Sequence, residues 1–379
     1  MKKRKLTAFV LLLSLCLAVL TGCSTASEQE TASTRTFVDS CGRTVEIPTE
    51  LNEIMPSGSL AQIVLYTVCP DRLQSLSTPF TRVQKQYIPE KYTELPVTGQ
   101  FYGGGTTVNY EEIIAADPDI IIDIGEAKEN IAADMDELQE KTGIPVIFIE
   151  ASIATMADAY DTLGELTGDT KQAAACAAYI RETLDDAAAY SAQIPENERK
   201  RVLYSQGEYG TEVLGVGSVH AEVLDYVGVE NVAQLSSVAG EGGNEVSMDQ
   251  ILLWNPEVVI LAPESNFSDI YEDSAWQPVQ AVQNHQAYEV PIGPYSWLDR
   301  PPSVQRILGI RWLGNLIYPD VFDYDMIAEA REFYQLFFHY ELSEAEAREL
   351  MGNSTYLDAD NTDAAETADE AAATEEDAS

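Results

Sequence analysis

VNYEEIIAADPDIIIDIGE, residues 108–126, and VSMDQILLWNPEVVILAPE, residues 246–264, align without a gap, 138 residues apart. Each copy reads as a short helix, an Asp-Pro or Asn-Pro stop, a buried strand and an acidic residue just past the strand end. Pro118 and Pro256 cannot continue a helix, because proline lacks the amide hydrogen and its ring clashes with the preceding turn. The apolar runs that follow, residues 120–122 and 258–261, are β-branched enough to be sheet cores. Two copies in register predict two similar α/β lobes. Ligands of open parallel sheets bind outside the carboxyl ends of strands, so Gly125 and Glu126 in one lobe and Pro263 and Glu264 in the other are expected to face a shared cleft.

Working outward, the region between the copies is Ala-rich from 155 to 190. Gly164 and Gly168 are expected to divide it into two helices. The second, from near Asp169 to about Gln193, would be roughly 37 Å long at 1.5 Å per residue, a length that suits a rigid strut between lobes. Before the first copy, TFVDSCGRTVEI (36–47) alternates around Gly42 and predicts a β-hairpin. A strand beginning at Ile54 breaks at Pro56-Ser57-Gly58-Ser59, and an amphipathic helix follows over 60–68. A Ser-Gly-Ser turn at a helix N-terminus aims amides and hydroxyls at whatever fills the cleft, although ordinary capping explains Ser57 and Ser59 equally well. A strand over 73–77 ends in Thr78-Pro79-Phe80, and Gln100-Phe101-Tyr102 precedes three glycines. After the strut, RVLYS (201–205) opens the second lobe and leads into the polar, aromatic loop Gln206-Gly207-Glu208-Tyr209. Helix 221–227, the second copy and a strand near 287–291 complete that lobe, and a last helix is expected over 324–352.

At the N-terminus, Lys2, Lys3, Arg4 and Lys5 precede an apolar run over 8–20 and then Leu20-Thr21-Gly22-Cys23. That order is a secretory signal, too short for an ordinary membrane span. Its ending resembles a bacterial lipobox, which would make Cys23 the lipidated first residue of the mature chain, with 1–22 as signal and 23–35 as a polar tether. The expected location is the outer face of the bacterial cytoplasmic membrane. Residues 353–379 read as a disordered acidic tail.

The formal net charge of −41 excludes nucleic acid as a partner, since phosphate recognition needs a positive field. Three histidines, His220, His285 and His339, stand far apart, which argues against a direct zinc or manganese site. An oxidising compartment would permit a Cys41–Cys69 disulfide, but buried free thiols are the favoured reading for Cys41, Cys69 and Cys176. No GxSxG, Walker or HExxH motif is present, so no enzyme is predicted and no cofactor is expected.

Taken in order, DSCGRTVEIP, the strand-turn-helix over 55–68, VNYEEIIAADPDIII, the mid-chain helix and WLDRPPSVQRILGIRWLGNLIYPD resemble the class III substrate-binding lipoproteins of bacterial ABC importers, the family that binds ferric siderophores, haem and cobalamin. The match spreads over about 36–340. The resemblance implies an α/β fold of two three-layer α/β/α lobes with mainly parallel sheets, joined by one long rigid helix and with the ligand between them. The boundaries expected are 36–152 for the first lobe, 153–195 for the connecting helices and 196–352 for the second lobe with the final helix. It also implies a monomer that delivers cargo to a permease dimer and its ATPase, with Glu111 or Glu112 on one lobe and Glu245 on the other as docking acids.

For the ligand, Trp297 follows a strand end where such proteins present an aromatic, and Tyr102, Tyr204, Tyr209 and Tyr295 would complete an aromatic cage suited to a ferric siderophore or related metal chelate. Ser57, Ser59, Thr78, Phe80, Gln100, Gln206, His220, Glu264 and Arg300 complete the expected cleft. Similarity of residues 297–302 to molybdate and tungstate binders makes a small oxyanion, held by amides and Arg300, the second reading. Haem or a corrinoid comes third. An anchored adhesin of the same lobe plan is the alternative of another class.

Overall fold

A computed structural model describes residues 33–101, 108–235, 243–263, 265 and 267–352. The chain opens with an antiparallel hairpin, β1 (Thr34–Val38) and β2 (Thr44–Pro48), turned at Gly42 with φ of +82°. Next come β3 (Ile54–Pro56), α1 (Ser59–Val68), α2 (Tyr110–Ala116), β4 (Ile120–Gly125), α3 (Ile131–Thr142) and β5 (Val146–Glu150). Strands β3, β4 and β5 form a parallel sheet with β4 in the middle. The strand expected at 73–77 is reduced to two isolated parallel bridges, Ile54 with Leu73 and Leu76 with Val97.

Two helices follow, α4 (Met156–Thr167) and α5 (Thr170–Ser191), separated by Gly168 in a left-handed conformation. Gly164 does not divide them. It lies inside α4, where a Cβ would come within 2.7 Å of the Ala173 methyl, so glycine sets how closely the two helices approach. At 22 residues, α5 is about 33 Å long.

The second lobe is built from β6 (Arg201–Gln206), β7 (Glu212–Val213), α6 (Glu222–Tyr226), β8 (Glu230–Asn231), β9 (Asn244–Glu245), α7 (Met248–Trp254), β10 (Val258–Leu261) and β11 (Ala287–Glu289). Its sheet runs β11-β10-β6-β7-β9, with β8 also on β6. Strands β6, β8, β10 and β11 are parallel, and β7 and β9 add an antiparallel margin. The chain ends in α8 (Gln305–Ile317), α9 (Met326–Phe333), a π-turn at Tyr334–Phe338 and α10 (Glu344–Leu350), so the single final helix expected over 324–352 is broken into three pieces.

The doubled segment is doubled in three dimensions. Asn109 caps α2 by accepting from the Glu112 amide, and Ser247 caps α7 by accepting from the Gln250 amide. Both helices stop at a left-handed residue just before the proline, Asp117 at φ 50° and Asn255 at φ 44°. Asp and Asn are the non-glycine residues that best tolerate that conformation.

Alternation along the central strands then divides the core. Ile120, Ile122 and Ile124 of β4 and Val258 and Ile260 of β10 point into one apolar core that also takes in α1, α4, α5 and α8. Ile121 and Val259 point the other way, into separate outer cores beneath α2 with α3 and beneath α7. The inner core is continuous from lobe to lobe. Interiors of this density resist compression, so the lobes are held in one relative position by packing as well as by α5.

Candidate functional site

At the carboxyl end of β4 a cavity of about 330 Å³ lies between the lobes. Gly58, Ser59, Leu60, Ala61, Gln100, Asp123, Gly125, Glu126, Lys128 and Phe148 wall it on the first lobe, and Val219 and Pro302 on the second. Gly58, extended at φ −168°, leads straight into α1, and no side chain caps that helix. The amides of its first turn have no intrahelical acceptors, so this wall carries partial positive charge. Beneath it Ser57, fully buried, donates its hydroxyl to Asp123 Oδ1. Burial raises the Asp123 pKa, with Ser57 and then Lys128 pulling it down.

The second-lobe wall is backed by charged groups drawn from well-separated stretches of chain. Arg300 donates to Gln206 Oε1 at 2.6 Å and lies 3.5 Å from Asp299, while His220 lies 3.8 Å from the same carboxylate. Ser296 and Tyr204 also hydrogen-bond Asp299. Burial pushes Asp299 up and His220 down, which leaves His220 a neutral ring at pH 7. Below them Arg306, with no exposed side-chain surface, donates through Nη1 to Glu222 at 2.7 Å and to the Val219 carbonyl at 3.3 Å. Burial raises the Glu222 pKa; Arg306 opposes it, and Glu126 of the opposite lobe adds to it. The electrostatics of the two walls are therefore linked.

The two-lobed architecture with a cleft at the strand ends is shared with known proteins. Residues 82–292 match the family model described as periplasmic binding protein. The chain belongs to that family. An ABC transporter solute binding protein from Sulfurospirillum deleyianum is 29% identical and superposes with a TM-score of 0.77, over 84% of this chain and 99% of that one. A periplasmic solute binding protein from Veillonella parvula is 26% identical with a TM-score of 0.69, over 85% and 98%. The vitamin B12-binding protein of Salmonella choleraesuis is 30% identical over 156 residues, 41% of this chain and 55% of that protein. The chain spans about half the length of the curated relatives it matches.

This periplasmic binding protein gathers some of the expected cleft residues and not others. Ser59 and Gln100 line the cavity, Ser57 lies beneath it, and Gln206, His220 and Arg300 meet around Asp299. Trp297 is a correction. It is 1% exposed, and its indole donates to the Tyr334 hydroxyl inside the core. Gly309 of α8 packs against the Trp297 carbonyl with no room for a Cβ, so α8 lies directly on this stretch of backbone. Tyr295 packs against Phe338, Tyr204 is fully buried, and Phe80 also lies in the core. Tyr209 is 69% exposed, so the described tyrosines do not assemble a cage. Thr78 is taken up by backbone bonds with the Gln62 amide. Tyr102, Glu264 and Cys23 lie outside the described residues.

Glu111 and Glu112 are exposed in the first turn of α2. Glu245 is on β9, where it accepts from the Thr211 hydroxyl. The acid that matches Glu111 in the second copy is Asp249, exposed in the first turn of α7. Sequence reasoning did not single out Asp249, which the gapless alignment sets opposite Glu111. It also missed Asp123, Glu222 and Arg306, whose importance rests on contacts between distant segments. Cys41, Cys69 and Cys176 are free thiols, and burial raises Cys69 and Cys176 to about 12.

Proposed function

We propose that the protein is an extracytoplasmic carrier that captures a small anion-bearing solute between its lobes and delivers it to an ABC importer permease. The observation that carries this reading is the cavity at the uncapped N-terminus of α1, with Gln100 and Lys128 on the same wall and Phe148 the one aromatic side chain among the described residues that line it. A large ferric siderophore is favoured by an aromatic cage, and Trp297, Tyr295 and Tyr204 are committed to the core instead. The strongly negative field of the chain repels anions at long range. Screening within about 8–10 Å leaves the choice to the local donors. Lipidation at Cys23 would hold the carrier, as a monomer, on the outer face of the membrane. Docking on the permease would use Glu111 or Glu112 and, in the second lobe, Asp249 rather than Glu245.

Purified protein titrated with phosphate, sulfate, molybdate, a ferric siderophore, haem and cobalamin, followed by tryptophan fluorescence and melting shift, tests the reading. Saturable binding of a small anion is expected. Binding of haem or cobalamin alone would overturn the ligand class. Binding of none would overturn the carrier reading and favour the adhesin.

A further inference from the structure

We propose that Asp123 makes the cleft select solutes that bring a hydrogen-bond donor along with their acceptor oxygens, such as a singly protonated oxyanion. The proposal rests on the small-anion reading above and deepens it. Asp123 lines the interlobe cavity, yet its residue is only 9% exposed. With Glu126 it is one of two carboxylates on this wall, and it is the buried one, set at the end of β4 and below the first-turn amides of α1.

The local hydrogen bonds leave this carboxylate as an acceptor. Ser57 spends its one hydroxyl proton on Asp123 Oδ1. The Ser57 amide is used by the Ile122 carbonyl at 3.0 Å, and the Ser57 carbonyl accepts from the Phe101 amide at 2.9 Å. Ser57 therefore has no proton left for a solute, and it locks the carboxylate in place. The Ile124 amide supplies a second bond. An ionised carboxyl group offers about four acceptor positions, so the donors among the described residues leave two for another donor. A tetrahedral dianion without a proton would set bare oxygens against this charge in a confined, partly desolvated space, where such repulsion is strong. An O–H or N–H on the solute turns the same contact into a charge-assisted hydrogen bond. Asp123 is thus the specificity-determining residue and Ser57 its positioning residue.

The test uses probes matched in charge and shape. At pH 8, hydrogenphosphate and hydrogenarsenate are tetrahedral dianions that carry one O–H, whereas sulfate and molybdate carry none. Calorimetric titration of the purified chain should show the protonated pair bound at least ten-fold more tightly than the unprotonated pair. Asp123→Asn, whose amide can both donate and accept, should collapse that ratio below about three-fold, chiefly by improving sulfate and molybdate. Ser57→Ala frees the carboxylate without removing it and should move the ratio part of the way, giving a second readout if the Asn variant folds poorly. A wild-type preference for molybdate or sulfate overturns the subsite, as does an unchanged ratio in Asp123→Asn; either result leaves the small-anion carrier standing. Binding of none of the four probes by the wild type overturns both.

Discussion

Replacing Gly164 with alanine should loosen the seam between α4 and α5, and the size of the effect follows from the contact. The new Cβ would stand 2.7 Å from the Ala173 Cβ and 3.3 Å from the Thr170 Cα. Carbon atoms pack at about 3.5–4.0 Å, so the helices must part by about 1 Å or tilt. Overpacking of this kind costs about 1–3 kcal/mol. Exchanging glycine for alanine inside a helix returns about 1 kcal/mol. The net loss should be about 1 kcal/mol, or about 1–2 °C in Tm at about 2.1 cal/mol/K per residue over roughly 300 folded residues. Ala173→Gly removes the opposing methyl and should cost about 1 kcal/mol in propensity. In that background Gly164→Ala should become neutral or stabilising, because its hardest contact is gone. The coupling should reach about 1–3 kcal/mol, read from urea unfolding of the four proteins by circular dichroism. Additivity within about 0.5 kcal/mol would refute the close approach of the two helices as the reason for glycine.

Removing Glu222 (Glu222→Ala) should destabilise the fold by about 3 kcal/mol in urea unfolding, because it strands the fully buried Arg306 charge, whereas removing both partners together should cost less. Trp297→Phe should lower Tm while leaving solute affinity in the folded protein within about two-fold by calorimetry, since the side chain is in the core. Burial raises the native pKa of Asp123 above the ordinary 3.8, so the native state takes up this proton more readily than the unfolded chain. Its contribution to stability therefore improves as pH falls through the native pKa toward 3.8, and Asp123→Asn should gain more over wild type at pH 8 than at a pH of about 4 in matched urea titrations. Thiol labelling of the native protein should modify Cys41 and spare Cys69 and Cys176 until urea is added.

Much of the architecture was legible because it depends on short-range rules. The prolines at 118 and 256, the caps at Asn109 and Ser247 and the β-branched runs act within a few residues, so the two copies declare two helix-strand units whatever surrounds them. The strut was legible for the same reason, and its end fell at Gly168 as the turn chemistry required. The final helix was misread because the π-turn at Tyr334–Phe338 and the left-handed His339 leave no mark in helical periodicity.

The site was less legible. Ser59 and Gln100 reached the cavity because a strand end or helix start puts its neighbours at the sheet margin. Trp297 and Tyr295 obey the same local rule, yet the aromatic cluster of the C-terminal helices, more than thirty residues further on, drew them into the core. The sequence by itself determined the repeated helix-proline-strand units, the strut and the acidic balance, all set by neighbours along the chain. Only the tertiary structure decided which polar groups meet at the cleft, because Asp123 with Ser57, and Arg306 with Glu222 and Glu126, are joined by burial and Coulomb forces between segments far apart in sequence.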